Sequence, residues 1–316
     1  MASTASRITI RQLEYFVAVA ENGTLAAAAA AHHISQSAIS LAISDLEQTL
    51  GVQLLLRRKA RGVALTSAAQ HILPELRSVL AHVGELHSTA RSLGQEISGH
   101  LPLGCYPTLT PFLMPRLLNE FPSQYPAVNI DLFEGSVAEM QARLLDGSCE
   151  LALMYNLGIS NDVATTVLYS VRPYIVLPAD HSLAVPGPIR LAELEHEPMV
   201  MLDMPPSIEL FREILAGGGV DPWIRFTTAN FESVRSLVAS GAGYSIMLQR
   251  PPADSTYAGP PLHYREIADD VRQVDVVLAQ ARSARLTRRA HALATFCRTH
   301  IDEGVEYTAH SSPSPH

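Results

Sequence analysis

The chain has 316 residues, 47% hydrophobic and 17% charged, with a net charge of −8. That excludes a disordered polymer, leaves room for two or three folded domains, and argues against a protein that coats nucleic acid with its whole surface. The charge is uneven: residues 1–66 set Arg7, Arg11, Arg57, Arg58, Lys59 and Arg61 against Glu14, Glu21, Asp45 and Glu47, a surplus of +2, and the remainder carries −10. A mildly basic head on an acidic body suits a DNA reader joined to a small-molecule sensor.

Leu13, Phe16, Val17 and Ala20 fall at i, i+3, i+4 and i+7, the pattern of a helix with one buried face, and Asn22-Gly23 stops it. Thr24 can cap a second helix from Leu25 to Ala31, whose alanines have the highest helix propensity. His32-His33 forms the turn, and Ser35 caps a third helix from about Gln36 to Leu50. Ile39, Ile43, Leu46 and Leu50 form its core face, and Gly51 supplies the left-handed position after it. Val52 to Leu55 and Val63 to Leu65 read as two short strands around a basic tip of Arg57, Arg58, Lys59 and Arg61, where phosphates would be met. This order describes a winged helix-turn-helix, which places one helix in the DNA major groove. The outward residues of that helix are Gln36, Ser37, Ser40, Leu41 and Ser44. Gln pairs bidentately with adenine, Ser bonds base edges or phosphate, and Leu touches a thymine methyl.

Ile72, Leu76, Val79, Val83, Leu86, Ala90 and Leu93 then step by alternating fours and threes. That is a heptad seam, which predicts a helix pairing two copies so that two heads read two half-sites. Pro74 fits the start of such a helix better than its middle, and Gly94 and Ser98-Gly99 end it.

Beyond residue 98 strands and helices alternate. His100 to Cys105, Val128 to Phe133 and Glu150 to Met154 read as strands, with helices at Pro111 to Phe121 and Ser136 to Leu145. This predicts a parallel or mixed sheet. RPYIVLPADHSLA opens a second lobe with PMVMLD, IRFTTAN and FESVRSLVASGAGYSIML inside it, and HYREI leads out. VRQVDVVLAQAR returns a strand to the first lobe, and Leu286 to His300 closes it as a helix. Two crossings, near residues 168 and 267, make a hinge with a ligand cleft between the lobes. Strand-end loops in that cleft carry Thr108, Ser136, Tyr155, Asp203, Ser207 and Phe231 as candidate ligand contacts. Thr108 and Ser207 read equally well as plain helix caps, and Asp203 would disfavour an anionic ligand unless paired, for which Arg143 or a basic ligand is a candidate.

Cys105, Cys149 and Cys297 are odd in number and without metal-ligand spacing, which reads as buried free thiols. The sequence holds no P-loop, no Gly-x-Ser-x-Gly and no His-Glu-x-x-His, so no enzyme, metal or cofactor is indicated. The start MASTASRITIRQ has no apolar signal core, and no run of 18 apolar residues occurs; a cytoplasmic protein without membrane contact is expected. A cytoplasmic solute-binding protein would share the two-lobe cleft, but the DNA head argues against it.

The stretches RQLEYFVAVAENGTL, ISQSAIS, LEQTLGVQLL and RRKARGVALT resemble, in order and without gaps, the LysR-type transcriptional regulators. GHLPLGCYPTLTPFLMPRLL, FPSQYPAVNIDLFEG and LLDGSCELALMY carry the likeness to near residue 300. The resemblance implies an α/β chain with an N-terminal winged helix-turn-helix, a long linker helix, and two Rossmann-like lobes, like a type 2 periplasmic binding protein, joined by two crossovers. The divisions would be 1–66 for DNA binding, 67–97 for the linker, 98–168 with 268–303 for lobe one, 169–267 for lobe two, and 304–316 as a disordered tail. It assigns DNA roles to Gln36, Ser37, Ser40, Arg57 and Arg61, and co-inducer contacts to the cleft loops, with Thr108 and Ser207 the nearest motif matches. Implied partners are double-stranded DNA, a small-molecule co-inducer, further copies of the chain in a dimer and tetramer, and RNA polymerase. Two departures stand out. Leu41 and Ala42 replace the family's long polar residues, and the second helix is a bare run of six alanines, so weaker intrinsic DNA binding is expected. Peroxide sensors of the family use two reactive cysteines in the second lobe, whereas all three here fall in the first.

Overall fold

A computed structural model describes residues 8–58, 62–91, 97–257 and 259–301. The head contains α1 (Ile10–Asn22), α2 (Leu25–Ala31) and α3 (Gln36–Leu50). A capping box starts α1: Thr9 accepts the Gln12 N–H and Gln12 Oε1 accepts the Thr9 N–H. Thr24 and Ser35 cap α2 and α3 through the N–H groups of Ala27 and Ala38. Gly51 ends α3 at φ 72°, a left-handed turn that favours glycine. The core face of α1 differs from the expected one. Leu13, Phe16, Ala18 and Val19 are buried, while Val17 and Ala20 are only half-buried, because the helix packs on α2, α3 and the next long helix together.

The wing is an antiparallel pair, β1 (Leu55–Arg58) and β2 (Gly62–Leu65), with Leu55 opposite Leu65 and Arg58 opposite Gly62. It begins later than its hydrophobicity suggests. Glu47 Oε1 accepts the N–H groups of Leu54 (2.7 Å) and Leu55 (3.0 Å), and thus ties the preceding segment to α3 instead of a partner strand. Arg57 and Arg58 therefore belong to β1 and not to the tip. Arg61, like Lys59, lies outside the described residues.

The linker helix α4 runs Ser67–Arg91 and is capped by Thr66, so Pro74 falls inside it rather than at its start. Ile72, Leu76 and Leu80 pack partly on the head core beside buried Leu73. The seam residues exposed to solvent are further along, Val79 at 45% and Leu86 at 65%. Leu93 lies outside the described residues, as does the segment 304–316.

Lobe one holds β3 (Gly99–Cys105), α5 (Thr110–Gln124), β4 (Val128–Glu134), α6 (Val137–Leu145), β5 (Leu151–Tyr155) and β6 (Val163–Val171). Lobe two follows with β7 (Tyr174–Pro178), β8 (Pro198–Leu202), α7 (Ser207–Gly217), β9 (Trp223–Thr228), α8 (Phe231–Ala239), β10 (Ser245–Met247) and β11 (Leu262–Glu266). Then β12 (Val274–Ala281) and α9 (Arg288–His300) return to lobe one. The first sheet has the order β4-β3-β5-β12-β6, with β3 parallel to its neighbours and β12 antiparallel to both of its own. Lobe two repeats this plan: β8 is parallel to β9 and bridges to the start of β10, which joins the antiparallel set β10-β7-β11. The first crossing lies at residues 172–173 rather than near 168, because β6 pairs along its full length with β12. The second lies between β11 and β12.

Lobe one rests on the linker helix of its own chain. Arg77 Nη1 bonds the Asp146 carboxylate at 2.9 Å while Nη2 reaches Glu21 of α1 at 3.3 Å, so one guanidinium touches head, linker and lobe.

Candidate functional site

Two sites emerge. In the head, α3 presents Gln36, Ser37, Leu41 and Ser44 to solvent, Leu41 at 65% exposure. Ser37 Oγ sits 2.9 Å from Ser35 Oγ, so its hydroxyl is oriented by the cap. Ser40 is turned toward a crevice between α3 and the wing that also involves Leu25, Gln53 and Leu56, and it is half-buried. On α2, Ala28 and Ala29 are buried while Ala26, Ala27 and Ala30 present bare methyls. The surface is smooth and lightly polar. It suits close approach to a groove wall but offers few donors for phosphates.

The second site lies between the lobes. Tyr106, at the end of β3, is fully buried, and its hydroxyl reaches across to lobe two. It lies 3.1 Å from Met204 O, 3.3 Å from Pro205 O and 3.2 Å from Ser207 Oγ. Beside this clasp is a nearly closed cavity of about 10 Å³. Thr108 and Tyr155 of lobe one line it, with Ser207 and Phe231 of lobe two. Thr108 Oγ1 donates to the Tyr155 hydroxyl at 3.3 Å, and the Phe231 ring meets Phe112 edge-on at 6.0 Å. Neither Thr108 nor Ser207 is a helix cap: α5 begins after Leu109 and α7 after Pro206, both without a side-chain cap bond. Burial pushes the Tyr106 hydroxyl up to about 12 and raises Tyr155 above the ordinary tyrosine range, so both stay protonated.

Two predicted residues fall outside this cavity. Ser136 caps α6 in a box with Glu139, whose carboxylate accepts the Ser136 N–H (2.8 Å) and hydroxyl (2.9 Å) and is thereby held below the usual carboxylate range. Asp203 is exposed and does not line the cavity, and Arg143 stacks on the Phe133 ring at 3.7 Å instead of pairing with it. Sequence reasoning missed Leu202, Phe211, Met247, Leu248 and Gln249, which complete the lining. Only the position of the first two, at a strand end and a helix start in lobe two, carried any signal. All three cysteines are buried, and desolvation raises Cys105 and Cys297 to about 12 and Cys149 to about 11. Among the described residues no cluster of His, Cys, Asp and Glu could hold a metal ion, and no helix is long and apolar enough to cross a membrane.

A winged helix on a two-lobe module with an interlobe cavity defines a class: a DNA-binding regulator controlled by a small molecule. The comparisons agree. Residues 10–70 match the family described as bacterial regulatory helix-turn-helix protein, lysR family, and residues 94–302 match the LysR substrate binding domain. The chain belongs to the LysR family of transcriptional regulators and is not an enzyme. It is 32% identical over 244 residues to the uncharacterized HTH-type transcriptional regulator YvbU of Bacillus subtilis (strain 168), covering 76% of this chain and 81% of that one. It is 30% identical over 244 residues to the DNA-binding transcriptional dual regulator OxyR of Escherichia coli (strain K12), covering 76% and 79%. The crystal structure of HinK, a LysR family transcriptional regulator from Pseudomonas aeruginosa, matches with a TM-score of 0.63 at 30% identity, over 93% of this chain and 99% of that one.

Proposed function

We propose that two heads, paired through the exposed seam of α4, read two half-sites of a promoter in the cytoplasm under the control of an effector bound in the interlobe cavity. The observation that carries this reading is the Tyr106 clasp across that cavity, since a ligand beside Thr108, Tyr155, Ser207 and Phe231 contacts both lobes. A ligand that prefers one interlobe angle shifts the population toward it. Lobe one transmits the change through Arg77, which bridges Asp146 to the head's Glu21. Paired dimers assembled into a tetramer then alter DNA bending and the access of RNA polymerase.

DNA contact falls to Gln36, Ser37, Ser40 and Leu41 of α3, with Arg57, Arg58 and Arg61 on the wing side. Ser136 and Asp203 are not part of this effector site. The family likeness does not make this chain a thiol-based peroxide sensor. Its cysteines are buried in lobe one with raised pKa values, which suppresses the thiolate that reacts with peroxide.

Gel retardation with DNA upstream of the protein's own coding region tests the DNA role, and salt titration tests the face. Two bare faces, on α2 and at Leu41, predict a shallow dependence of binding on salt, with fewer than about six phosphate contacts per head. A slope reporting six or more contradicts this account of the face, and no retardation at any salt contradicts the DNA role.

A further inference from the structure

The charge and exposure of α3 narrow what it can read. Over its whole length, Gln36–Leu50, this helix holds no Lys, Arg or His but two carboxylates, Asp45 and Glu47. Glu47 is taken up by the Leu54 and Leu55 N–H groups, whereas Asp45 is exposed. Ser37, Leu41, Ser44 and Gln48 follow one another at steps of four, three and four, so they share one side of the helix, and all four are exposed. Asp45 stands about one turn beyond Leu41. Phosphates beside this side would meet a carboxylate and no cation, so its contribution to binding cannot come from the DNA backbone.

The base edges of the major groove offer a better match. Guanine N7 and O6 are acceptors, which repel Asp45 and give Leu41 no apolar partner, and Arg and Lys, the usual readers of guanine, are missing from α3. Thymine alone presents an apolar group there, its 5-methyl. Among the large apolar side chains of α3, Leu41 alone is exposed, at 65%. Covering it with a methyl removes apolar surface of both from water. Ser37 and Ala38, about one turn before it, are small and exposed, so a base edge can approach. Gln36 pairs with adenine, so a second residue of α3 favours the same A·T chemistry.

We infer that Leu41 sets specificity by seating the 5-methyl group of a thymine, one in each half-site. The inference rests on α3 being the DNA-reading helix and names the chemical group that this helix reads.

The test uses the full-length protein and duplexes selected from a random pool. In the selected site each thymine is replaced singly by uracil, which pairs alike and lacks only the methyl. Affinity is read by fluorescence anisotropy at one fixed salt concentration. In each half-site one replacement should weaken wild-type binding about fourfold, the worth of one buried methyl, and both together about fifteenfold. Leu41→Ala should lose affinity for the thymine site and be indifferent to that replacement. Leu41→Met, which keeps an apolar side chain, should still respond. Because position 41 is exposed, both variants should melt with wild type. Selected sites without a fixed thymine overturn the inference. So do uracil duplexes bound as tightly as thymine ones, or a Leu41→Ala protein that responds as wild type does. Gln36→Ala and Ser37→Ala separate the two layers. If no duplex is bound, or if neither variant alters binding, α3 is not the reading helix, and the reading beneath fails with the inference. If they weaken binding but uracil does not, only the thymine contact fails.

Discussion

Replacing Glu150 by Ala is expected to destabilise the ligand-binding module by about 3–5 kcal/mol, because it leaves Arg289 charged, buried and without its carboxylate. Arg289 Nη2 lies 2.9 Å from Glu150 Oε1, and the two side chains are 7% and 14% exposed. The other carboxylate oxygen accepts the Thr287 hydroxyl at 2.7 Å and the Thr287 N–H at 3.3 Å. One side chain therefore holds the returning helix α9 to the start of β5. For a module of this size the loss corresponds to roughly 6–20 °C in melting temperature by calorimetry. Removing both charges, as Glu150→Leu with Arg289→Met, should recover most of it, since a buried pair is replaced by apolar packing. A single-variant loss under about 1 kcal/mol would mean that Arg289 is satisfied without Glu150.

The second large effect concerns pairing of the heads. Val79→Glu with Leu86→Glu places two charges on the exposed seam of α4; Val79 shares a turn with Leu76 and Leu80 but faces solvent, and Leu86 lies beyond the residues that pack on the head core. Sedimentation should show dissociation, and affinity for an operator with two half-sites should fall about 10²–10⁴-fold, because the second head no longer binds intramolecularly. Affinity for a single half-site should stay within about threefold. A variant that remains dimeric with full operator affinity would place the pairing surface elsewhere.

The head was legible because its signals are local. Thr24, Ser35 and Gly51 each act within a few residues, so α2 and α3 emerge with correct ends. The face of α1 is not legible from its own period because its burial depends on three packing partners at once, α2, α3 and α4. The wing was misplaced for a similar reason: Glu47 takes the amides of Leu54 and Leu55, a bond across seven and eight residues that no propensity reports. In the body the strands declared themselves, but the first crossing depended on how far β6 pairs with β12, more than a hundred residues away. The cleft was half visible. Thr108, Tyr155, Ser207 and Phe231 sit at strand ends and helix starts, where the open-sheet rule looks. Gln249 follows a short strand as an ordinary polar residue, and only folding shows its amide buried beside Tyr155. Ser136 and Asp203 satisfied the same rule but face other surroundings, one closed in its capping box and the other in solvent.

The central claim is that the angle between the lobes governs how the paired heads hold DNA. Tyr106→Phe tests it without any ligand, since it removes only the hydroxyl that reaches Met204, Pro205 and Ser207 across the cleft. The measurement is the DNA bend angle and footprint of wild type and Tyr106→Phe on the same operator, with X-ray scattering to record the opening of the lobes. The account predicts a wider cleft, a changed bend and a footprint of altered length, with affinity for a single half-site unchanged. A cleft that opens while bend and footprint stay identical would contradict it.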